Sequence, residues 1–206
     1  MLNKLEKRII DLSYKYQLSH IGSCLSVVNF LDQTYKVKGK EEPFILSNGH
    51  AGLALYVVLE KYGYGDAEYL LKKNGTHPNR CLEDGIWCTT GSLGMGLSVG
   101  VGMALADCKR NVYVFISDGE CAEGSIWEAL RIANDSKLKN LKVTCIANGY
   151  SALGKIDLDY LDTRLNAFYP ILMVRIDMTR FPIWLRGLEG HYRILTEKEY
   201  EKIICQ

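Results

Sequence analysis

Two mostly apolar runs, separated by one helix-sized segment, constrain the fold of this chain more than any other feature. The runs 112–116 and 141–147 are mostly apolar, and the intervening segment 125–136 has apolar residues at helical spacing. The first run is continuous, a pattern that strands buried on both faces have and that is typical of parallel sheets. A strand, a helix and a second strand in this order predict a right-handed βαβ unit.

The remaining apolar pattern extends this unit in both directions. Helical patterns are predicted at 3–17, 25–35, 51–62, 66–73, 91–108 and 197–204, and further strands at 43–46 and 171–176. The alternation of helices and strands predicts an α/β fold, with a mainly parallel sheet and helices on both faces. The length of 206 residues, without a linker or an internal repeat, predicts a single domain that spans residues 1–206.

Charge and cysteine content exclude several classes of protein. The chain has 25 Lys and Arg residues against 24 Asp and Glu, so its net charge of +1 gives no indication of a nucleic-acid partner. The N-terminal segment is charged from Lys4 onward and the apolar stretch 86–106 is interrupted by Gly, Ser and Thr, so we expect neither a signal peptide nor a membrane span. Seven Cys residues, an odd number without a CxxC motif, predict reduced thiols and a cytoplasmic protein.

Polar residues follow both strands of the βαβ unit. Asp118 comes directly after the first run and Asn148 directly after the second. Since the carboxyl ends of neighbouring parallel strands lie at one edge of the sheet, the two side chains can meet there. A carboxylate and an amide oxygen suit Mg²⁺ or Ca²⁺, although Asp-Gly and Asn-Gly also occur simply as turns.

The four His residues all lie beside Gly or Pro or in the turn before Gly, at 20, 50, 77 and 191. This placement favours a functional site over a buried apolar face, although surface His residues are the ordinary alternative. None of them shows close zinc-ligand spacing. Glu120 and Glu123 could belong to the same site or only supply favourable charge at a helix N-terminus. Gly94 and Gly96 lack the third glycine of a nicotinamide-binding loop.

Five segments together resemble one known family. They are SHIGSCLS, FILSNGHAGLALYVVLEKYGY, TTGSLGMGLSVGVGMALA, SDGECAEGSIWEALRIANDSKLKNL and IANGYSALG. In this order they resemble the N-terminal, diphosphate-binding domain of transketolases, from about residue 5 to residue 160 and more weakly to His191.

The resemblance implies thiamine diphosphate and a divalent cation, Mg²⁺ or else Ca²⁺ or Mn²⁺, as cofactors. Asp118 and Asn148 match the family's side-chain metal ligands, and Tyr150 would add its backbone carbonyl. The implied cofactor-binding positions are these three together with His50, Gly91, Ser92, Leu93, Gly94, Gly119 and Glu120. His20, His77 and His191 would line the substrate channel, bind sugar hydroxyls and transfer protons, while His50 would face the diphosphate. Glu123 matches an acid that meets a glutamate of the neighbouring subunit.

The resemblance also implies a reaction and a partner. We expect the N-terminal subunit of an enzyme that transfers a two-carbon ketol unit between sugars, in particular sugar phosphates. In the family a second, pyrimidine-binding domain supplies a glutamate that the cofactor requires. We therefore expect a separate C-terminal subunit, assembly into a heterotetramer and no activity of this chain alone. The alternatives are a component of another thiamine diphosphate enzyme, a decarboxylase or dehydrogenase, and a catalytically idle scaffold or regulatory subunit.

Overall fold

A parallel sheet forms the centre of the protein. The computed structural model describes residues 2–205. Its strands are β1 (Phe44–Leu46), β2 (Val112–Ser117), β3 (Leu141–Ala147), β4 (Tyr150–Ser151), β5 (Gly154–Lys155) and β6 (Leu172–Arg175). Within these residues the main sheet has the order β1-β2-β3-β6 with every pair parallel, whereas β4 and β5 form a small antiparallel hairpin.

Helices cover both faces of this sheet. Those described are α1 (Lys4–Tyr16), α2 (Ile21–Val37), α3 (Gly52–Lys61), α4 (Ala67–Asn74), α5 (Met95–Ala106), α6 (Gly124–Asp135), α7 (Leu158–Phe168), α8 (Gly187–Tyr192) and α9 (Glu197–Ile204). Helices α1 to α4 and α9 pack on the face that carries Phe115 and Ile146. Helices α5, α6 and α7 pack on the face that carries Val114 and Val143. The prediction of an α/β fold with helices on both faces is confirmed, and alternate residues of each central strand enter opposite cores.

Most predicted elements are present, with shifts at their ends. Helix α9 and strand β3 have the predicted bounds, whereas α2 starts at Ile21, four residues earlier than expected. Helix α7 was not predicted, although Leu161 and Leu165 recur at helical spacing and are buried. Asp157 caps α7 through hydrogen bonds from the N–H groups of Asp159 and Tyr160.

The glycine-rich helix α5 faces the sheet with its small residues. A Cβ atom on Gly96 would lie 2.7 Å from Ser47 Oγ, and one on Gly100 would overlap the Cγ2 methyl of Val114. These glycines therefore permit close packing of α5 within this chain. The opposite face of α5 is apolar and open to solvent, with Met95 and Leu105 each 50% exposed.

The structure also bears on the expectations about membrane-spanning helices and cysteine residues. In the part of the chain from residue 2 to 205, no helix is both long and apolar enough to cross a membrane. All seven Cys residues lie in this part and are free thiols.

Candidate functional site

The carboxyl ends of β2 and β3 bring Asp118 and Asn148 together. The parallel pairing of these strands extends to Ser117 and Ile146, so the residues that follow emerge side by side. Asp118 Oδ2 accepts a hydrogen bond of 2.7 Å from the backbone N–H of Gly149, which connects the two strand ends. The two predicted ligands thus lie where open parallel sheets bind their ligands.

The Asp118 carboxylate is buried, and it forms no ion pair with a cationic side chain of residues 2–205. Its side chain accepts hydrogen bonds from the backbone N–H groups of Gly149 and, at 3.0 Å, of Gly119. Asp118 is 3% exposed, and burial raises its pKa to about 6 although backbone hydrogen bonds counteract this effect. A nearby cation stabilises the ionised form of a buried carboxylate, so the environment of Asp118 fits a cation ligand.

A turn after β3 forms the floor beside these two residues. Asn148 Oδ1 accepts the backbone N–H of Tyr150 at 3.0 Å, and the second lone pair of this oxygen remains available. The β4–β5 hairpin then folds against Gly119, where an added Cβ would lie 3.4 Å from Ser151 Cα. This distance is an ordinary van der Waals contact, so a small side chain would fit at position 119, while glycine leaves the backbone there uncovered.

Glu120 lies behind the cavity, and its carboxylate binds other parts of the wall. Glu120 Oε1 accepts hydrogen bonds from Ser47 Oγ at 2.7 Å and from the Gly94 backbone N–H at 2.8 Å. Oε2 accepts the Ser117 backbone N–H at 3.0 Å, and the residue is fully buried. Burial raises the Glu120 pKa, against the effect of these hydrogen bonds. Glu120 thus joins the ends of β1 and β2 to the start of α5.

The loop before α5 forms another part of the site. Leu93 lines the central cavity, whereas Gly91 and Ser92 are exposed beside it. Gly94 has a φ of +80°, and a Cβ atom there would lie 2.9 Å from Glu123 Cβ. Both the left-handed backbone and this close approach require glycine at position 94.

Three of the four His residues form a cluster at the wall of the same cavity, which His50 and His191 line. The ring centroid of His20 lies 5.0 Å from that of His50 and 4.4 Å from that of His191. The backbone carbonyl of His191 accepts the His20 backbone N–H at 2.9 Å. His20 has a φ of +62° and precedes α2, and its Nδ1 is buried without a hydrogen-bond partner among residues 2–205. Such a left-handed backbone in a non-glycine residue is concentrated at functional sites.

These imidazoles are neutral at physiological pH. Burial, followed by the proximity of His191 and His77, lowers the pKa of His20 to about 4. Burial and the other three His residues lower the pKa of His50 to about 3. Burial lowers the pKa of His191 as well. Neutral rings can each donate one hydrogen bond and accept another, which suits them to bind hydroxyl groups and to transfer protons.

His77 and Glu123 lie at the rim of the site. His77 is exposed, and its ring faces Gly91, where an added Cβ would lie 3.5 Å from the His77 Cδ2 atom. Glu123 is also exposed, lines the cavity and precedes the first residue of α6. Both groups are therefore accessible to a substrate or to another protein chain.

A cavity of about 290 Å³ connects the metal-ligand candidates with the histidine cluster. The predicted site residues that line it are His50, Leu93, Asp118, Gly119, Glu123, Asn148, Tyr150 and His191. The predicted residues His20, His77, Gly91, Ser92, Gly94 and Glu120 lie next to this wall or behind it. The structure thus gathers the predicted residues around one cavity and its edge.

Sequence reasoning missed several residues of the cavity wall. Asn48 is 5% exposed, lines the cavity and follows β1, just as Asp118 follows β2. The rule that directed attention to polar residues after strands could therefore have found it. Ser23 and Ser26 of α2 also line the cavity, but their apolar helical context gave no signal.

The candidate cation site at Asp118 and Asn148 offers oxygen ligands of mixed type. Among residues 2–205 no three His, Cys, Asp or Glu side chains form a group that could hold a metal ion. A cation beside Asp118 would require the Asn148 amide, a backbone carbonyl and oxygen atoms from the bound molecule. Mg²⁺ commonly uses few protein ligands together with phosphate and water oxygens, so this arrangement fits it.

Comparison with known proteins identifies the family. Residues 32–170 match the family model of the transketolase thiamine diphosphate binding domain. An apulose-4-phosphate transketolase subunit of Phocaeicola vulgatus is 39% identical over 158 residues, which cover 67% of this chain and 56% of that protein. The 6-deoxy-6-sulfo-D-fructose transketolase subunit SqwG of Clostridium sp. is 34% identical over 210 residues, which cover 92% of this chain and 73% of that protein.

The fold agrees with this relationship. A transketolase structure from Leishmania mexicana superposes with a TM-score of 0.77 at 21% identity, covering 97% of this chain and 39% of the solved chain. The chain thus spans little more than half of the first curated relative and well under half of this solved protein. The family match covers more than half of the chain and includes both strand ends that carry Asp118 and Asn148. The protein therefore belongs to the transketolase family, and it contains the thiamine diphosphate binding domain of that family.

Proposed function

We propose that this chain is the diphosphate-binding subunit of a transketolase-like enzyme that transfers a two-carbon ketol unit between sugars. The observation that carries the proposal is one cavity that is lined by Asp118 and Asn148 and by His50 and His191, with the His20 ring packed against both imidazoles. Asp118 and Asn148 suit a cation with its diphosphate, and the neutral imidazoles suit hydroxyl and phosphate groups. The membership of the chain in the transketolase family supports the same assignment.

The cofactors in this proposal are thiamine diphosphate and Mg²⁺, which Ca²⁺ or Mn²⁺ could replace. Asp118, Asn148 and the backbone carbonyl of Tyr150 would hold the cation. Gly119 and the 91–94 loop would lie along the diphosphate, and His50 would contact it. Glu120 would act from behind by fixing the N–H groups of Gly94 and Ser117. When bound, thiamine diphosphate supplies the electron sink for cleavage of the bond next to a ketone.

The histidine cluster would bind the substrate and move protons. His20 and His191 lie within 4.4 Å of each other between ring centroids, so one hydroxyl group can contact both. Their lowered pKa values keep them neutral, and a neutral imidazole can accept a proton from a hydroxyl group and return it. His77 at the rim would contact the more distant part of the sugar.

The names of the relatives favour a ketose with an anionic end as the substrate. One relative is named for apulose-4-phosphate and another for 6-deoxy-6-sulfo-D-fructose. A sugar phosphate, or a sugar with a comparable anion, therefore fits best as donor or acceptor. We place the enzyme in the cytoplasm, where thiols stay reduced, in agreement with the seven free Cys residues.

The activity would require a separate subunit that carries the pyrimidine-binding domain. Both of these relatives are named as transketolase subunits, which supports a divided enzyme. The exposed apolar face of α5, with Met95, Val99 and Leu105, offers a surface for such a partner, and exposed Glu123 adjoins it. The simplest assembly is a heterotetramer of two copies of each chain, with the cofactor between unlike subunits.

Calorimetric titration tests the proposal. Thiamine diphosphate with Mg²⁺ is titrated into this chain together with its partner subunit. We expect saturable heat that disappears in Asp118→Ala and weakens in Asn148→Ala, whereas Asp135→Ala, on the exposed end of α6, serves as the control. Parent-like binding by both site variants would refute the ligand assignment.

The alternative functions give different results. A catalytically idle scaffold would bind no thiamine diphosphate even at high micromolar concentration. A decarboxylase or dehydrogenase component would bind it but would turn over 2-oxo acids rather than ketoses. Ketol transfer by the purified single chain would contradict the requirement for a partner.

A further inference from the structure

Residues 177–192, which we call the strap, form one wall of the cavity. Met178, Leu185, Gly187, Gly190 and His191 of the strap all line it. The strap lies directly on the first turn of α2, where a Cβ on Gly22 would come within 2.9 Å of the Leu185 carbonyl oxygen and 3.3 Å of that of Gly190. A small displacement of the strap would therefore change the shape of the cavity.

The strap has little secondary structure that could hold it in place. It follows the edge strand β6 and contains a 3-10 turn at Ile183–Leu185 and the six-residue helix α8. Helices of this length are unstable by themselves in water. The position of the strap must therefore depend on contacts with the rest of the protein.

The principal polar contact joins Arg180 of the strap to Glu6 of α1. Arg180 Nη2 donates to Glu6 Oε1 at 2.5 Å, and the Glu6 side chain is 0% exposed. The same oxygen accepts Asn29 Nδ2 at 2.9 Å, and the other oxygen accepts the Asn3 backbone N–H at 3.0 Å. Burial alone would raise the Glu6 pKa, but the hydrogen bonds from Arg180, Asn3 and Asn29 outweigh it and lower the pKa. Glu6 is thus a buried anion whose cationic partner is Arg180.

Internal hydrogen bonds connect Arg186 to the residues next to Arg180. Arg186 Nε donates to the Phe181 carbonyl at 2.7 Å, and its Nη2 donates to the Thr179 carbonyl. Phe181 and Leu185 are 3% and 1% exposed and pack in the core beside α1 and α2. A shift at Arg180 would therefore reach residue 186 and the cavity-lining residues that follow it.

The far end of the strap carries His191 into the histidine cluster. The His191 backbone carbonyl accepts the His20 backbone N–H, and the two rings are in edge contact. The place of His191, and with it the pairing of the two imidazoles, therefore depends on where the strap lies.

We propose that Glu6 and Arg180 are positioning residues, which fix the strap and thereby hold His191 against His20 at the cavity wall. Neither residue touches the substrate in this proposal, and the catalytic meaning of the pair rests on the function proposed above. Loss of the pair would leave Glu6 buried without its cation, a change that strongly destabilises the local structure.

Hydrogen exchange measured by mass spectrometry on the full chain tests this proposal without cofactor or partner. In Arg180→Ala we expect exchange at the His20 amide and within 183–192 to become about tenfold faster or more, since these amides report local opening of the strap. Diethyl pyrocarbonate should also modify His191 and His20 several-fold faster. Arg180→Lys should restore part of the protection. Arg131→Ala is the matched control, because Arg131 pairs with Asp135 on the exposed surface of α6.

Glu6→Gln keeps one oxygen for Asn29 and Arg180 but removes the charge and the oxygen that accepts the Asn3 N–H, so it weakens the Arg180 contact and provides the test if Arg180→Ala does not fold. Unchanged exchange and unchanged histidine modification in a folded Arg180→Ala or Glu6→Gln protein would overturn the proposal. Thiamine diphosphate titration of the same proteins with Mg²⁺ separates the two claims. If the parent protein binds no cofactor while the strap of Arg180→Ala exchanges faster than that of the parent, only the proposed function is refuted.

Discussion

Acidification should destabilise this protein through the histidine cluster. The folded-state pKa values of His20 and His50, about 4 and about 3, lie below the ordinary value of 6.5. Between these values the unfolded chain binds protons that the folded chain does not, so stability falls as the pH falls from 6.5 toward 4. Above about pH 7 both rings are neutral in the folded and in the unfolded chain, so they no longer lower the free energy of unfolding.

The magnitude follows from these pKa values. At about pH 5 an unfolded His is almost fully protonated, whereas His20 and His50 remain mostly neutral in the fold. Each ring then lowers the free energy of unfolding by about 2 kcal/mol relative to pH 7. Because His20 is partly exposed and solvent screens its charge, we expect about 3 kcal/mol for the pair. Asp118 acts in the opposite direction, since its pKa of about 6 adds about 1 kcal/mol of stability over the same interval.

Urea unfolding at pH 7, 6 and 5 measures this effect in the cofactor-free chain. The double variant His20→Asn, His50→Asn removes the two titrating rings, and Asn tolerates the left-handed backbone of residue 20. The parent should lose about 3 kcal/mol more than the double variant between pH 7 and pH 5. Arg131→Ala, which removes an exposed ion pair on α6 and no His residue, should lose as much as the parent. Equal losses in the parent and the double variant would refute the argument that burial keeps these rings neutral.

Three further outcomes follow from packing and hydrogen bonding. Gly100→Val should lower the free energy of unfolding by about 1–3 kcal/mol in urea unfolding, because the new side chain would overlap Val114. Gly102→Ala is the matched control: position 102 faces open space, so this variant should stabilise α5 by about 0.5–1 kcal/mol. Glu120→Ala should cost about 3 kcal/mol by the same assay, since it leaves three buried donors without an acceptor; a loss below about 1 kcal/mol would contradict this role. Val99→Asp should leave the melting temperature nearly unchanged and abolish association with the partner subunit in analytical ultracentrifugation; intact association would exclude the exposed face of α5 as the interface.

Local sequence patterns predicted the fold because the apolar pattern of the central strands matches their burial between two layers of helices. The run 112–116 is apolar throughout and the run 141–147 is apolar except at Lys142 and Thr144, and strands covered by helices on both faces bury such runs. The hairpin β4–β5 and helix α8 could not be predicted in the same way. Each strand of the hairpin has two residues and α8 has six, and contacts with Gly119, Tyr150 and α2 hold these elements in place.

The role of the α5 glycines illustrates the same limit. Their spacing indicates that Gly96 and Gly100 lie on one face, but spacing does not say what that face meets. In the structure the face meets Ser47 and Val114 of this chain, and the exposed surface of α5 consists of its larger apolar residues.

The sheet edge at which Asp118 and Asn148 meet could be predicted from the sequence, because parallel strands bring their carboxyl ends to one side. It also provided the His residues and the glycines of the wall. Tertiary structure alone decided that His20, His50 and His191 form one cluster, since these residues come from segments separated by 30 and 141 positions. It also decided that Glu120 fixes the wall from behind and that Arg180 reaches Glu6. These contacts arise from burial and side-chain geometry between distant segments, and no local spacing in the sequence encodes them.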